Sequence, residues 1–156
     1  MRLNCSEHLI VRTAWLYGPG GPSYVHTLMR MAQEGTSEVR AASDQKGCPT
    51  STYAVAAVIR KLLRSPRLMS TLHLSCGGEA SRYDFARAVF ELAGLGQKVV
   101  PCLSGEIPGS AVEPRSLKLE NRMLGMFGLP PMPDWRTALA DFMRREFSPA
   151  AGGSVR

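Results

Sequence analysis

The chain has 156 residues, of which 44% are hydrophobic and 21% charged, and its formal net charge is +6. This length suits one domain with a sizeable core, and no apolar run approaches the ~20 residues that a membrane-spanning helix needs. The basic residues form only small groups on predicted helix surfaces, which does not favour nucleic acid as a partner. The start of the chain does not resemble a secretory signal, so we expect a cytoplasmic protein with four reduced cysteines and no metal site.

The first predicted element is a buried parallel strand that begins with the apolar residues 9–11 and ends in a Gly/Pro turn at residues 18–21. In open parallel sheets, ligands bind beyond the carboxyl ends of the strands. Trp15 and Tyr17 lie at this end, and because they are two residues apart on a strand, their rings are expected to share one face. Two interpretations are open: a ligand-facing pair, or core aromatics at a sheet edge.

Helices and strands alternate along the rest of the chain. Apolar spacing and capping residues predict helices over residues 24–34, 52–63, 82–93, 121–128 and 135–147, with Ser23, Ser81 and Asp134 as N-caps. Strands are predicted over residues 38–42, 71–75 and 99–103, with a brief pairing at 117–119. This order indicates an α/β layer structure with parallel strands. It spans one domain, residues 1–147, followed by a disordered tail, residues 148–156.

Two loops of this domain have a composition suited to a site. The polar loop at residues 43–50 suits a ligand-facing connection, although a simple capped turn would have the same composition. The long loop at residues 104–114 is rich in Gly and Pro and is of the kind that often covers a site. The sequence therefore places candidate binding groups on loops at the strand ends.

The sequence lacks two patterns that would support catalysis or cofactor binding: a Tyr-x-x-x-Lys pair and a glycine-rich turn that opens a helix. A Tyr-x-x-x-Lys pair would place an ammonium beside a phenol for proton transfer, but none of the four tyrosines has lysine four residues later. No G-x-G-x-x-G opens a helix, so there is no cradle for a dinucleotide pyrophosphate. We therefore predict no catalytic, cofactor-binding or metal-binding residue in this chain.

Five segments, in their order along the chain, resemble the C-terminal half of the dTDP-4-dehydrorhamnose reductases, which are extended short-chain dehydrogenases/reductases. The two most specific are Arg-Thr-Ala-Trp-Leu-Tyr-Gly at residues 12–18 and Asp-Gln-Lys-Gly-Cys-Pro-Thr at residues 44–50. The others are His-Leu-Ser at 73–75, Ser-Arg-Tyr-Asp-Phe-Ala at 81–86 and Pro-Asp-Trp-Arg at 133–136. The resemblance covers residues 7–142.

The resemblance implies a fold, a ligand and a set of site residues. The fold would be a partial Rossmann-like fold of the extended short-chain dehydrogenase type, with its C-terminal strands and its substrate-binding part. Members of the family use NADPH or NADH to reduce the 4-keto group of a dTDP-deoxysugar. By resemblance, the substrate-binding residues of this chain are Trp15, Tyr17, Gln45, Gly47, Pro49, Thr50 and Arg115.

The departures from the family pattern imply a fragment. The family carries its glycine-rich cofactor loop and its Tyr-x-x-x-Lys pair before the segment matched by residues 12–18. We therefore expect this chain to be the substrate-side part of such a reductase, with no cofactor of its own and inactive without an N-terminal half. Pro22 and Ser23 replace the usual Asn-Asn, and Glu113 stands where the family has arginine, so that Arg115 would have to supply the phosphate contact.

Two further expectations follow from a chain of this kind. Without its neighbouring strands the strand at Leu9 would expose an apolar edge, which predicts self-association. The alternative function is a non-catalytic interaction subunit, similar to the regulatory β subunit of methionine adenosyltransferase.

Overall fold

The computed structural model describes residues 8–64, 70–108 and 114–147. The helices of these residues are α1 (Tyr24–Gln33), α2 (Thr52–Leu62), α3 (Arg82–Leu92), α4 (Arg122–Met126) and α5 (Trp135–Phe147), with a 3-10 turn at Ser104–Glu106. Their strands are β1 (Leu9–Arg12), β2 (Leu16–Tyr17), β3 (Glu38–Ala42), β4 (Lys46–Gly47), β5 (Thr50–Ser51), β6 (Ser70–His73), β7 (Ala80–Ser81), β8 (Lys98–Cys102) and β9 (Ser116–Leu117). The predicted tail at 148–156 and Glu113 lie outside the described residues.

Parallel pairing dominates the described strands, which confirms the α/β prediction. β1 pairs with β6, β2 with β5 and β3 with β8, all in parallel. β4 lies between β7, which is antiparallel to it, and β9, which is parallel. The expectation that residues 43–50 form only a connecting loop is therefore wrong, because this segment contains β4 and the start of β5. Among the described strands, β1 has a partner on one side only.

Aromatic rings from three elements pack together in the core. Tyr17 of β2 is 2% exposed, and its ring centroid lies 5.4 Å from that of Phe85 on α3 and 5.2 Å from that of Phe142 on α5. Trp135, at the start of α5, packs edge-on against Phe85 at 5.8 Å. Aromatic pairs of this geometry add about 0.5–1.5 kcal/mol each beyond the apolar area that they bury. The carboxyl end of β2 is thereby fixed to two helices.

Two leucines at the ends of helices are exposed. Leu63 is 79% exposed and Leu92 is 45% exposed. Leu63 is the C-cap of α2 and Leu92 is the last residue of α3, so each lies where its helix ends and the buried stripe ends with it. Helical spacing predicted the stripe but not its last residue.

The predicted N-caps differ in how they act. The Ser81 hydroxyl accepts from the backbone N–H of Asp84 at 3.0 Å, and the Asp84 carboxylate accepts from the Ser81 N–H, which completes a capping box. Asp134 accepts from the backbone N–H of Arg136 at 2.9 Å. Ser23 occupies the cap position of α1, but its hydroxyl bonds to Nδ1 of His26 at 2.8 Å instead of to a backbone N–H.

The described cysteines are free and the described helices are not membrane-spanning. Cys48, Cys76 and Cys102 are buried free thiols, and burial raises the pKa of Cys76. None of the helices in the described ranges is long and apolar enough to cross a bilayer.

Candidate functional site

A cleft of about 570 Å³ opens where α1 and α3 begin, beside the end of β3. We call it the strand-end cleft. Its described lining comes from four parts of the chain: Pro22, Ser23, Tyr24, Thr27, Arg40, Ala42, Gln45, Arg82, Ile107 and Pro108. Its position agrees with the rule that ligands bind beyond the carboxyl ends of parallel strands.

A stack of aromatic and cationic groups forms one end of this cleft. The Arg82 guanidinium lies 4.0 Å from the centroid of the Trp15 ring and 5.2 Å from that of the Tyr24 ring. Tyr24 in turn stacks on Phe85, with 6.2 Å between centroids and 22° between planes. The stack thus connects the cleft to the aromatic core, and each cation–π contact contributes about 0.5–2 kcal/mol.

Gly47 lies against the indole ring of Trp15. A Cβ atom at position 47 would lie 2.7 Å from Cε2 and 2.8 Å from Cδ2 of the Trp15 indole, closer than real Cβ contacts. The ring therefore rests on the bare backbone of β4, where any side chain would displace it. This contact gives a physical reason for glycine in the Asp-Gln-x-Gly-x-Pro-Thr segment.

The expectation that Trp15 and Tyr17 share one face of a single strand is wrong. Trp15 has a φ of 46°, in the left-handed region, and separates β1 from β2. The Trp15 carbonyl accepts from the N–H of Thr50 at 3.0 Å, which holds this backbone turn in place. Trp15 is half-buried against Gly47 and Arg82, whereas Tyr17 lies in the core, where burial raises the pKa of its phenol.

The segment after β3 is fixed by its own hydrogen bonds. The Asp44 carboxylate accepts from the Ser104 N–H at 2.8 Å and from its hydroxyl at 3.0 Å, and these bonds lower the pKa of Asp44. The buried Thr50 hydroxyl donates to the Cys48 carbonyl at 2.7 Å and accepts from the Cys76 N–H at 3.2 Å. These four hydrogen bonds fix the backbone on both sides of Gln45, which is 6% exposed and lies in the wall of the cleft.

Of the seven predicted site residues, all of which the structure describes, Gln45 lines the strand-end cleft directly. Trp15 and Gly47 form the end of its stack. Tyr17, Pro49 and Thr50 are buried behind it. Arg115 is exposed, and its carbonyl accepts from the Lys46 N–H at 2.9 Å, so it lies beside β4 rather than in the described lining.

The polar groups in and beside the cleft include two arginines, a tyrosine and a buried indole donor. Arg40 and Arg82 both line it, and Arg40 is paired with Glu106 at 2.6 Å across an exposed edge. Burial raises the pKa of Tyr24 although Arg82 opposes this effect, so the phenol is neutral. Trp15 Nε1 is buried and has no acceptor among the described residues. An unsatisfied buried donor costs about 1–3 kcal/mol, so an acceptor from a ligand would be favourable.

The first glycine of the turn after β2 has a packing role rather than that of a phosphate cradle. A phosphate cradle needs open backbone N–H groups beside its glycines. At Gly18 the space that a Cβ would take is filled by the Thr52 hydroxyl, so this glycine serves the close approach of β2 to α2.

The sequence analysis missed Arg82 and Tyr24 as site residues. Both are the first residue of a helix, α3 and α1 respectively. A cation at a helix N-terminus is opposed by the helix dipole by about 0.3–1 kcal/mol. An arginine directly after the Ser81 cap was therefore a signal that some other interaction holds it there, and the two rings supply that interaction.

The chain is similar to known proteins over most of its length. A sequence model of the RmlD substrate binding domain matches residues 1–147. The chain is 33% identical over 148 residues to the spore coat polysaccharide biosynthesis protein SpsK of Bacillus subtilis, covering 95% of this chain and 51% of that protein. It is 37% identical over 134 residues to the dTDP-4-dehydrorhamnose reductase of Mycolicibacterium smegmatis, covering 85% and 41% respectively.

The fold of the described residues is also found in solved structures. The crystal structure of a dTDP-4-dehydrorhamnose reductase from Bacillus anthracis, in complex with NADP, superposes with a TM-score of 0.82 at 33% identity. The match covers 88% of this chain and 48% of that one. The chain therefore spans about half the length of the curated relatives and of the solved reductase that it matches.

Proposed function

This chain belongs to the family of RmlD substrate binding domains, and from that premise we propose that its strand-end cleft binds a dTDP-deoxysugar. The chain would be the substrate-side part of a dTDP-4-dehydrorhamnose reductase. The observation that carries this proposal is the Trp15 ring, which is held between Gly47 and Arg82 at one end of the cleft.

Within the predicted site we assign direct contacts to two residues. The half-buried Trp15 would pack a ring face or edge against the bound molecule and offer its Nε1 donor. The Gln45 amide, fixed in the cleft wall, would bond to hydroxyl or carbonyl groups. Tyr17, Pro49 and Thr50, buried behind the cleft, would hold these two in place, and contact by Arg115 stays a prediction.

In the reaction of the family, a 4-keto group accepts a hydride from NADPH or NADH and a proton from the enzyme. Neither a phenol–ammonium pair nor a dinucleotide cradle is found among this chain's sequence patterns. The residues of the chain would therefore bind and orient the sugar nucleotide, while the hydride and proton come from a part of the reductase outside it. We expect the chain alone to be inactive.

Calorimetric titration of the chain tests the proposal, with dTDP-rhamnose, dTDP and UDP-glucose as ligands. We expect dTDP-rhamnose to bind more tightly than UDP-glucose. Trp15→Ala should lower the affinity for dTDP-rhamnose by about 30-fold or more, the loss typical of an aromatic anchor. Phe127→Ala is the matched control, since Phe127 is an exposed aromatic outside the described lining of the cleft.

Two results would count against this function. Equal affinity for UDP-glucose and dTDP-rhamnose would contradict recognition of a dTDP-sugar. No binding by a folded chain, together with a protein that copurifies with it, would favour the non-catalytic interaction subunit.

A further inference from the structure

We propose that Tyr24 is a further ligand-binding residue of the strand-end cleft, and that its hydroxyl donates a hydrogen bond to an acceptor oxygen of the bound nucleotide sugar. The identity of that ligand, a dTDP-deoxysugar, rests on the proposed function. Tyr24 lies outside the five segments that carry the family resemblance, so this contact does not follow from the resemblance.

The ring of Tyr24 is held in position at the start of α1. It stacks on Phe85, with 6.2 Å between the centroids and 22° between the planes, and Phe85 is itself buried in the core. The Arg82 guanidinium lies 5.2 Å from the Tyr24 centroid. A side chain packed in this way has little rotamer freedom left to lose on binding, so a hydrogen bond from its hydroxyl contributes more fully to affinity.

The Tyr24 hydroxyl is an unused hydrogen-bonding group in the wall of the cleft. Tyr24 is half-buried and lines the strand-end cleft. Within the described part of the chain its hydroxyl makes no hydrogen bond, and it is not one of the fully enclosed side-chain atoms that lack a partner. The hydroxyl of Tyr53, on α2, differs because it bonds to Glu146 at 2.6 Å. The Tyr24 hydroxyl can therefore bind a ligand without first breaking a bond inside the protein.

The uncharged state of the phenol makes it a hydrogen-bond donor. Burial raises the pKa of Tyr24, so the phenol keeps its proton at neutral pH and can donate to a carbonyl, hydroxyl or phosphate oxygen. Gln45 adds a second uncharged group to the same lining. It is 6% exposed, and its side-chain amide also makes no hydrogen bond to the described residues. The two side chains suit a ligand with several polar atoms, because a ligand without them would leave both groups unpaired.

Calorimetric titration of Tyr24→Phe tests this contact, since the substitution removes the hydroxyl and keeps the ring that stacks on Phe85. The probes are thymidine, dTDP and dTDP-rhamnose, and the smallest probe whose affinity falls shows whether the acceptor oxygen belongs to the nucleoside, the diphosphate or the sugar. Tyr83→Phe is the matched control. Tyr83 is half-buried on α3, beside the Arg87 guanidinium at 5.7 Å, and lies outside the described lining.

For Tyr24→Phe we expect the affinity for dTDP-rhamnose to fall by about 3- to 10-fold, the loss typical of one neutral hydrogen bond. Tyr83→Phe should bind dTDP-rhamnose as the wild-type chain does. The midpoint of urea denaturation should be the same for both variants and the wild-type chain, because neither hydroxyl bonds to another described residue.

Wild-type affinity of Tyr24→Phe for dTDP-rhamnose would overturn the assignment. A loss of affinity accompanied by a lower urea midpoint would also overturn it, since the hydroxyl would then support the fold instead of the ligand. Failure of the proposed function has a different signature: the wild-type chain would bind UDP-glucose as tightly as dTDP-rhamnose, while Tyr24→Phe would weaken both by the same factor. A folded wild-type chain that binds none of these probes would contradict both.

Discussion

Two clefts of the molecule have the same volume, about 570 Å³, and both contain an arginine that lies over an aromatic ring: Arg82 over Trp15 and Tyr24 in one, and Arg145 over Tyr53, at 4.9 Å, in the other. The second, which we call the helix cleft, lies between α2 and α5. Its arginines are Arg60, Arg144 and Arg145. Arg144 and Arg145 both bond to Asp141 at 2.8 Å, and Tyr53 bonds to Glu146 at 2.6 Å.

The two clefts differ in the groups that contact their arginines. In the helix cleft, Asp141 lies on the same helix as Arg144 and Arg145 and pairs with both. In the strand-end cleft, Arg82 lies over two aromatic rings, those of Trp15 and Tyr24. The two clefts have the same volume and both contain arginines, but of the two only the strand-end cleft is lined by Gln45, and Trp15 lies at its end beside Arg82.

The largest expected effect comes from breaking the stack at its base with Gly47→Ala. The new Cβ would lie 2.7 Å from the Trp15 indole, so the ring must move. We expect the affinity for dTDP-rhamnose, measured by calorimetry, to fall by about 30-fold or more, as on loss of an aromatic anchor. Gly96→Ala is the control, because no atom lies within 4 Å of its Cβ position. Equal affinities of the two variants would mean that the position of Trp15 is unimportant.

Thr50→Val tests the support behind the strand-end cleft. The substitution removes the bond to the Cys48 carbonyl and leaves the buried Cys76 N–H without its acceptor. The free energy of unfolding should fall by about 1–3 kcal/mol, measured by urea denaturation. Thr27→Val, which removes an exposed bond of 3.3 Å, should cost less. If Thr50→Val were as stable as wild type, the hydroxyl would not hold this segment.

Asp141→Asn tests whether the arginines of the helix cleft bind the anion. It weakens two surface ion pairs, so the free energy of unfolding should fall by less than about 1 kcal/mol, and less at high salt. The affinity for dTDP should not change. Tighter binding of dTDP by this variant, in which Arg144 and Arg145 are released, would show that the helix cleft is the anion site.

The smallest effect is a pH dependence at the rim of the strand-end cleft. The N–H and hydroxyl of Ser104 lower the pKa of Asp44 in the folded protein. Its carboxylate therefore stabilises the fold above the unfolded pKa of about 3.9, and this contribution is lost as the pH falls through the lower folded value. Thermal melts should show Asp44→Asn below wild type at neutral pH, with the gap closing in acid. Glu120→Gln, an exposed carboxylate elsewhere, should show no such convergence.

Local sequence signals predicted the helices and the parallel strands because they depend on residues close together in the chain. Ser81 with Asp84, and Asp134 before α5, are caps of this kind. Trp15 shows the limit, because an alternating pattern gives no sign of a residue with a φ of 46°. Once Trp15 leaves the strand, its ring and that of Tyr17 have different neighbours.

The stack could not be predicted for a second reason. Gly47, Trp15, Arg82 and Tyr24 come from four separate parts of the chain, and their contact depends on α1 and α3 beginning at the same edge. The family resemblance identified Trp15 and Gly47 but gave no role to Arg82. The one local signal was the cation Arg82 at the N-terminus of α3, and the two rings that it contacts belong to residues far from it in the sequence.

The most direct test is to map the position of a bound nucleotide sugar by heteronuclear NMR on the isotope-labelled chain. On titration with dTDP-rhamnose we expect the largest shifts at the Trp15 indole N–H, the Gly47 N–H and the Gln45 side-chain amide. Thr137, which lines the helix cleft, should stay unchanged. Largest shifts at Thr137 and its neighbours on α5, or no shifts in a folded chain, would contradict the assignment of the strand-end cleft as the binding site.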